Sequence, residues 1–388
     1  MKVPKGWKKD KFSNVLAIIK DGTHFSPSKF GGKNLYITSK NIKMGYLDLS
    51  NVSYIPDDEH EKIYSSSPVK FGDVLLTKDG ANTGNVAINN IQEPFSLLSS
   101  VAYLRGKKNI IDNLYLLQWL LSPKVQYEIK SEMAGQAITR LTLQKINHFE
   151  IYYPPLSEQK AIADILSTWD QAIDKLEKLI AGKEKKFKWL LNELITKNRS
   201  KRVKLKELSN EISTRNTENI ERVLSVTNTK GFILPEEQFG KKVSSDDLSN
   251  YKIVNKGQYA YNPSRINVGS IARLDDWDIA VLSPMYVVFE VKEEKINSDY
   301  FLFWLSTAEA KQRIKLSAQG SVRETVNYSD LCSIKISLPT KEKQQEIADK
   351  ISLIQTEIRY FHRIKEQYVM QKQGLMQKLL TGKWRVKI

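Results

Sequence analysis

The chain repeats itself at a fixed interval of 185 residues (347 − 162), so whatever it folds into must be buildable twice. Ile162-Ala163-Asp164 returns as Ile347-Ala348-Asp349, and Leu190-Leu191-Asn192-Glu193-Leu194-Ile195-Thr196 returns as Leu375-Met376-Gln377-Lys378-Leu379-Leu380-Thr381. Trp119-Leu120 matches Trp304-Leu305. Gly72, Gly84, Gly135 and Pro154 match Gly257, Gly269, Gly320 and Pro339, so turn positions recur in step with apolar ones. Two like halves in one chain imply a pseudo-dyad, and a molecule with that symmetry is suited to a target made of two half-sites.

With 388 residues and 41% hydrophobic content the chain can hold two or three domains with real cores, and neither a disordered nor a fibrous class fits. The apolar runs, such as Leu114 to Leu121, stop far short of a bilayer span. The opening Met1-Lys2-Val3-Pro4-Lys5-Gly6-Trp7 lacks the apolar core of a signal peptide, so a cytoplasmic location with no membrane partner is expected. The single cysteine, Cys332, excludes an internal disulfide; it sits in Leu331-Cys332-Ser333-Ile334-Lys335-Ile336, which alternates like a half-buried strand and reads as packing. His24, His60, His148 and His362 have no neighbour at metal-ligand spacing, so no metal site is expected. A net charge of +16, spread along the chain rather than gathered in a tail, points to a polyanionic partner, most simply nucleic acid.

Each half opens with an α/β stretch in the same element order. Strand-like segments fall at Leu35 to Thr38, Val74 to Thr77, Val86 to Ile88 and Leu97 to Leu104, then a helix from Leu114 to Ser131 and a strand Phe149 to Tyr153 before Pro154-Pro155. The second half repeats this as Arg222 to Thr227, Gln258 to Asn262, Ser270 to Leu274, Ala280 to Val291, a helix Asp299 to Leu316, and a strand Ser333 to Leu338 ending at Pro339. Past each proline a long helix is expected. After Ser157, a suitable N-cap, apolar residues fall at Ile162, Ile165, Trp169, Ile173, Leu176, Ile180, Phe187, Leu190 and Leu194 in steps of three and four or their sum. After Thr340 the same stripe runs through Ile347, Ile351, Ile354, Ile358, Phe361, Ile364, Tyr368, Leu375 and Leu379. A narrow seam sustained for about 40 residues, a rod of roughly 60 Å, is best satisfied if the two helices pair with each other. The expected fold is therefore α/β plus long helices: two similar α/β domains, 1–155 and 200–339, joined by two long antiparallel coiled-coil helices, 156–199 and 340–388. Lys183, Lys185, Lys186 and Lys188 either track phosphates or form a solvated face.

The opening Pro154-Pro155-Leu156-Ser157-Glu158-Gln159-Lys160-Ala161-Ile162-Ala163 resembles the start of the central conserved region in specificity subunits of type I restriction-modification systems. The segment Gly374-Leu375-Met376-Gln377-Lys378-Leu379-Leu380-Thr381-Gly382-Lys383 is similar to the end of their distal conserved region, and length, repeat and element order extend the likeness over the whole chain. In the second copy, Pro339-Thr340-Lys341-Glu342-Lys343-Gln344 reads with one extra residue and without the Glu-Gln pair. The resemblance implies that each globular region is a target recognition domain for half of a split sequence in double-stranded DNA, with the paired helices setting the gap. It implies as partners two modification subunits, which bind S-adenosylmethionine and methylate adenine, and in the full complex two restriction subunits using ATP and Mg. None of that chemistry belongs to this chain. The stripe residues Ile162, Trp169, Leu176, Leu190, Leu194, Ile347, Ile354, Phe361, Leu375 and Leu379, with Glu158 and Gln159, are assigned to the coiled coil or to modification-subunit contact.

No catalytic constellation is legible. Tyr261-Asn262-Pro263-Ser264-Arg265 comes nearest to the methyltransferase Asn/Asp-Pro-Pro-aromatic segment but carries Ser and Arg where Pro and the ring belong; Gly80-Ala81-Asn82-Thr83-Gly84 lacks the lysine and spacing of a phosphate loop. Bases are read by Arg to guanine and Asn or Gln to adenine, while Lys, Ser and Thr mostly hold phosphates. Loops rich in both kinds supply the DNA-binding candidates: Lys40, Asn41, Lys78, Asn82, Gln136, Thr139 and Arg140 in the first half, and Asn228, Lys230, Arg265, Asn267, Ser321 and Arg323 in the second. Two other readings share the architecture. A stand-alone bipartite DNA-binding regulator would bind specifically without partners, and a coiled-coil scaffold would ignore nucleic acid.

Overall fold

The computed structural model describes residues 3–133, 140–239, 247–317 and 325–387. The chain divides into two compact units, Met1–Lys178 with Arg363–Ile388, and Leu179–His362, so each unit takes a stretch of both long helices.

In the first unit a four-stranded antiparallel sheet runs in the order Leu16–Asp21, Val101–Gly106, Val74–Thr77, Val86–Ile88. Val74-Leu75-Leu76-Thr77 is buried throughout because both faces of the sheet are covered. Alternate side chains go to opposite cores: Val74, Leu76, Ala102 and Leu104 pack with the helices Asn113–Leu121 and Pro123–Met133, whereas Leu75, Val101 and Tyr103 pack with Ile37, Phe95 and Leu97. The second unit repeats the plan with Ser209–Ile212, Val287–Val291, Tyr259–Tyr261 and Ile271–Arg273. Tyr259, Tyr261 and Phe289 face one core, Ala260 and Val288 the other.

Hydrogen bonds recur at the 185-residue register. Tyr115 donates its hydroxyl to Tyr152 O, and Tyr300 to Ser337 O. Asp112 caps its helix by accepting from Leu114 N and Tyr115 N; Asn297 does the same from Tyr300 N. Gln159 and Gln344, both buried, are the most informative pair. Gln159 accepts from Asp112 N and donates to Ile110 O and Pro154 O; Gln344 accepts from Asn297 N and donates to Lys295 O and Pro339 O. Gln344 thus falls on Gln159 with nothing inserted, which corrects the expectation of one extra residue in the second copy. Gln159→Leu and Gln344→Leu should each cost about 2–4 kcal/mol, because a buried amide and two carbonyls lose their partners. Amide exchange at Asp112 and Asn297 reads this locally; a large increase at one site with none at the other would disprove the equivalence.

Several boundaries differ from expectation. The helix expected over Leu114 to Ser131 breaks at Ser122, extended at φ −63°, ψ 142°, because Pro123 disfavours a helical residue before it. Its mate breaks into Ser298–Leu305 and Ala308–Ser317, where Thr307 Oγ1 accepts from Ala310 N. The single strands expected at Leu97 to Leu104 and Ala280 to Val291 are each two strands around a tight turn, closed by Val101 N to Leu98 O and Tyr286 N to Ser283 O. Cys332 packs in the interior as expected, but in the helix Tyr328–Ser333, not a strand. Ser157 is no cap, since the helix already begins at Leu156. The N-terminal strands Lys8–Lys11 and Arg202–Lys204, which pair with Glu150–Tyr153 and Lys335–Ser337, were not expected at all. Their register is 193, shown by Phe12 N to Phe149 O against Leu205 N to Ile334 O (205 − 12), because the second copy is shorter before its central strands.

The first long helix spans Leu156–Leu190 and continues as a π-helical turn over Leu191–Thr196; the second spans Lys341–Leu379. Within each unit their segments are antiparallel. In the first unit Ile162 and Leu166 share a core with Met376, Leu379 and Leu380, Trp169 meets Tyr368 edge-on at 5.3 Å, and Lys372 and Lys365 reach Asp170 and Glu177 at 2.5 and 3.0 Å. In the second, Leu191 and Ile195 pack with Ile347 and Ile351, and Lys183 pairs with Glu357 at 2.6 Å.

Candidate nucleic-acid interface

One end of the first sheet, marked by Asp21, Thr77 and Val101, carries a cluster of loops tied by hydrogen bonds. Ser100 accepts from Lys78 N through its carbonyl and from Ser39 N through its hydroxyl; Asn85 Nδ2 donates to Ile42 O, Gly45 N to Val86 O, and Leu141 N to Lys78 O. Separate segments therefore bring Lys40, Asn82 and Arg140 to the same end, all exposed. Arg140 Nε stands 3.2 Å from Asp79 Oδ1, an ion pair by distance that lacks hydrogen-bond alignment. Its side chain is still 54% exposed and can turn outward.

Two candidates in this unit are not available to DNA. Asn41 is buried: its amide oxygen accepts from Thr38 N at 3.1 Å and its amide nitrogen donates to Asp48 O and Asn51 O, so it fastens the turn. Lys78 is buried too, with Nζ 3.3 Å from Asp21 and 2.8 Å from Asp79. Conversely, the turn Lys43-Met44-Gly45-Tyr46, absent from the sequence-derived candidates, lies at this end, with Met44 and Tyr46 exposed and Gly45 at φ +96°. Its signal was a lysine and a tyrosine around a turn glycine. Beside it the Asp48 carboxyl is held below its usual range, chiefly by the hydroxyl and backbone N–H of Ser50 and also by Lys43.

The corresponding end of the second sheet gathers the turn at Asn228 and Lys230, between Ser225–Thr227 and Gly231–Ile233, and the loop Asn262 to Ser270. Ser270 Oγ donates to Val226 O at 2.7 Å, and a Cβ built on Gly269 would lie 3.7 Å from that of Asn228, so turn and loop touch. Asn228, Lys230 and Arg265 are exposed, and the half-buried Asn267 has an amide oxygen with no partner among the described residues. Asn262 accepts from Ser264 N, which makes the methyltransferase-like segment a turn. The frame matches the first unit, since Val326 N to Pro263 O repeats Leu141 N to Lys78 O. Gln136, Thr139, Ser321 and Arg323 lie outside the described residues.

On the long helices Ile162, Ile347, Ile354 and Leu379 are buried, and Trp169, Leu176, Leu190, Leu194, Phe361 and Leu375 half-buried along the seam. Glu158 is buried and receives both its bonds from Arg385 at 2.7 Å, while Gln159 is spent on its own unit, so neither is presented to a partner. Among the described residues there is no group of three or more His, Cys, Asp or Glu able to hold a metal ion, and no helix long and apolar enough to cross a membrane.

The family model for the type I restriction modification DNA specificity domain matches twice, over residues 4–182 and 191–367. The type I restriction enzyme MjaVIII specificity subunit of Methanocaldococcus jannaschii is 26% identical over 419 residues, covering 100% of this chain and 95% of the relative. Among solved structures, the type I restriction-modification S subunit from M. genitalium superposes with a TM-score of 0.64 at 15% identity over 98% of both chains. A chain from a structure of type I R-M system assembly and conformational transition superposes at 0.56, with 16% identity over 98% of this chain and 99% of that one. At these identities the two structures speak to the fold.

Proposed function

The chain belongs to the type I restriction-modification DNA specificity family, and from that premise we propose that each α/β unit reads one half of a bipartite duplex through the loops at one end of its sheet. The paired helices set the gap between the halves and dock the modification subunits. Methyl transfer with S-adenosylmethionine, and any ATP- and Mg-dependent cleavage by restriction subunits, belong to those partners; this chain recognises and does not catalyse. The supporting observation is the backbone frame kept at the 185-residue register while the residues carried on it change, Gly80 to Arg265 and Arg140 to Thr325. A constant frame with changed side chains suits one scaffold reading two unlike half-sites.

Affinity is carried largely by Lys and Arg on phosphates and falls steeply with salt, with specificity added by base contacts. Arg140→Ala should relax reading of the first half-site only, and Arg265→Ala of the second only, each by about 1–3 kcal/mol per base pair read. The test is binding of the assembled methyltransferase to a panel of duplexes mutated one position at a time. Uniform weakening across the panel, with the salt slope reduced by about one, would make both arginines phosphate contacts. Tight specific binding by the isolated chain would favour a regulator instead.

A further inference from the structure

At the opposite end of the first sheet from these loops, a cavity of about 700 Å³ opens beside the start of the first long helix. Phe71, Ile88, Leu114 and Leu156 line it, with Phe71 57% exposed. Lys108 and Lys160, both exposed, flank it without an ion pair among the described residues. The one acid in the lining, Asp112, is engaged as a helix cap.

The repeat supplies a control for this surface. At the same register the second unit has Lys256, Arg273, Asp299 and Lys341 in place of the four apolar residues, and Glu293 and Gln345 in place of the two lysines. These close on one another: Arg273 pairs with Asp299 and Asp275 at 2.7 Å, Lys341 with Glu293 at 4.0 Å, Lys256 with Asp278 at 3.4 Å, and Gln345 accepts from Asn297. One copy of the surface is self-satisfied. The other leaves large apolar side chains in water between uncompensated positive charges, which is the pattern of a binding site rather than of a solvated face.

We propose that this cavity docks an acidic protein segment carrying one aromatic or aliphatic anchor, with the anchor seated among Phe71, Leu114 and Leu156 and its flanking carboxylates on Lys108 and Lys160. The charge selects carboxylates, the apolar walls select the anchor, and the position on the far edge of the sheet separates the site from the loops assigned to DNA. Because the second unit lacks it, the site takes one segment per chain, unlike any partner that binds both halves alike.

The test uses the full chain and a short fluorescein-labelled peptide of Asp and Glu around one central Phe, followed by anisotropy. Saturable binding of one peptide per chain is expected. Lys108→Glu with Lys160→Glu should weaken it at least about tenfold, as should Phe71→Ser or replacing the peptide's Phe by Ser, whereas Lys185→Glu with Lys186→Glu, an equal change of net charge, should not. Circular dichroism checks that each variant is folded. The proposal is overturned by absence of saturable binding at millimolar peptide, by two peptides per chain, or by equal effects of the two charge reversals. It is equally overturned if a random-sequence oligonucleotide loses more affinity than the peptide when Lys108 and Lys160 are reversed, which would make the surface a nucleic-acid site.

Discussion

A Lys78→Met variant should lose about 3–5 kcal/mol of stability in the first unit, although Lys78 sits in the loop cluster assigned to DNA. The side chain is 2% exposed, and its ammonium lies between Asp21 and Asp79. Removing it leaves two carboxylates close together, Asp21 largely buried and Asp79 only partly so with Arg140 as its one remaining cation among the described residues, and an incompletely compensated charge in such a site is far costlier than a lost surface pair. Adding Asp21→Asn and Asp79→Asn to the same variant should recover most of the loss, since neutral amides no longer need the cation. Urea melts of the three proteins test this. A phosphate-binding lysine would behave oppositely, with stability unchanged and the salt slope of DNA binding reduced by about one. Unchanged stability of Lys78→Met would therefore return Lys78 to the interface. The consequence for recognition would be indirect: Asp79 faces Arg140, so the buried cation holds the carboxylate beside the arginine proposed to read DNA.

Lys78 also shows where reading residues by type stops. Lysine and asparagine in a glycine-bearing loop suggest nucleic acid, but composition says nothing about direction, and Lys78 and Asn41 both turn inward. A hint was present in Lys78 itself, which directly follows the wholly buried strand Val74–Thr77. The long helices and the central strands were legible because their apolar periods are strong and their repeat gives each element a second witness. The N-terminal strands were not, because Lys8–Lys11 and Arg202–Lys204 are polar edge segments held mainly by backbone pairing to distant strands, a non-local contact that leaves no local period. Their different register hid the repeat as well. The Gln159 and Gln344 anchors escaped for a related reason: two of the three backbone partners that distinguish each buried glutamine lie far away in sequence, which no motif records.

Lengthening both helices should move the recognised gap without altering either half-site. Four residues inserted between Lys178 and Leu179, and four between His362 and Arg363, fall where the chain passes from one unit to the other and leave every helix-pair contact described within a unit intact. Each insertion adds about 6 Å, near the rise of two base pairs at about 3.4 Å each, and turns the helix by about 400°, so the apolar stripe slips by only about 40° and pairing survives. Inserting in one helix alone should instead misalign the seam, because the partner lacks the matching turn. Mapping methylated adenines in cells carrying the doubly extended protein gives the outcome directly: methylation at native sites should disappear, and sites with the same halves and a gap longer by about two base pairs should take their place. The effect is close to all-or-none because a gap error of two pairs also rotates one half-site by about 70° around the duplex, which no side-chain adjustment absorbs. An unchanged gap would show that the helices dock partners without measuring distance. Loss of all methylation with the chain still folded would locate the ruler in the modification subunits proposed to dock on the helices.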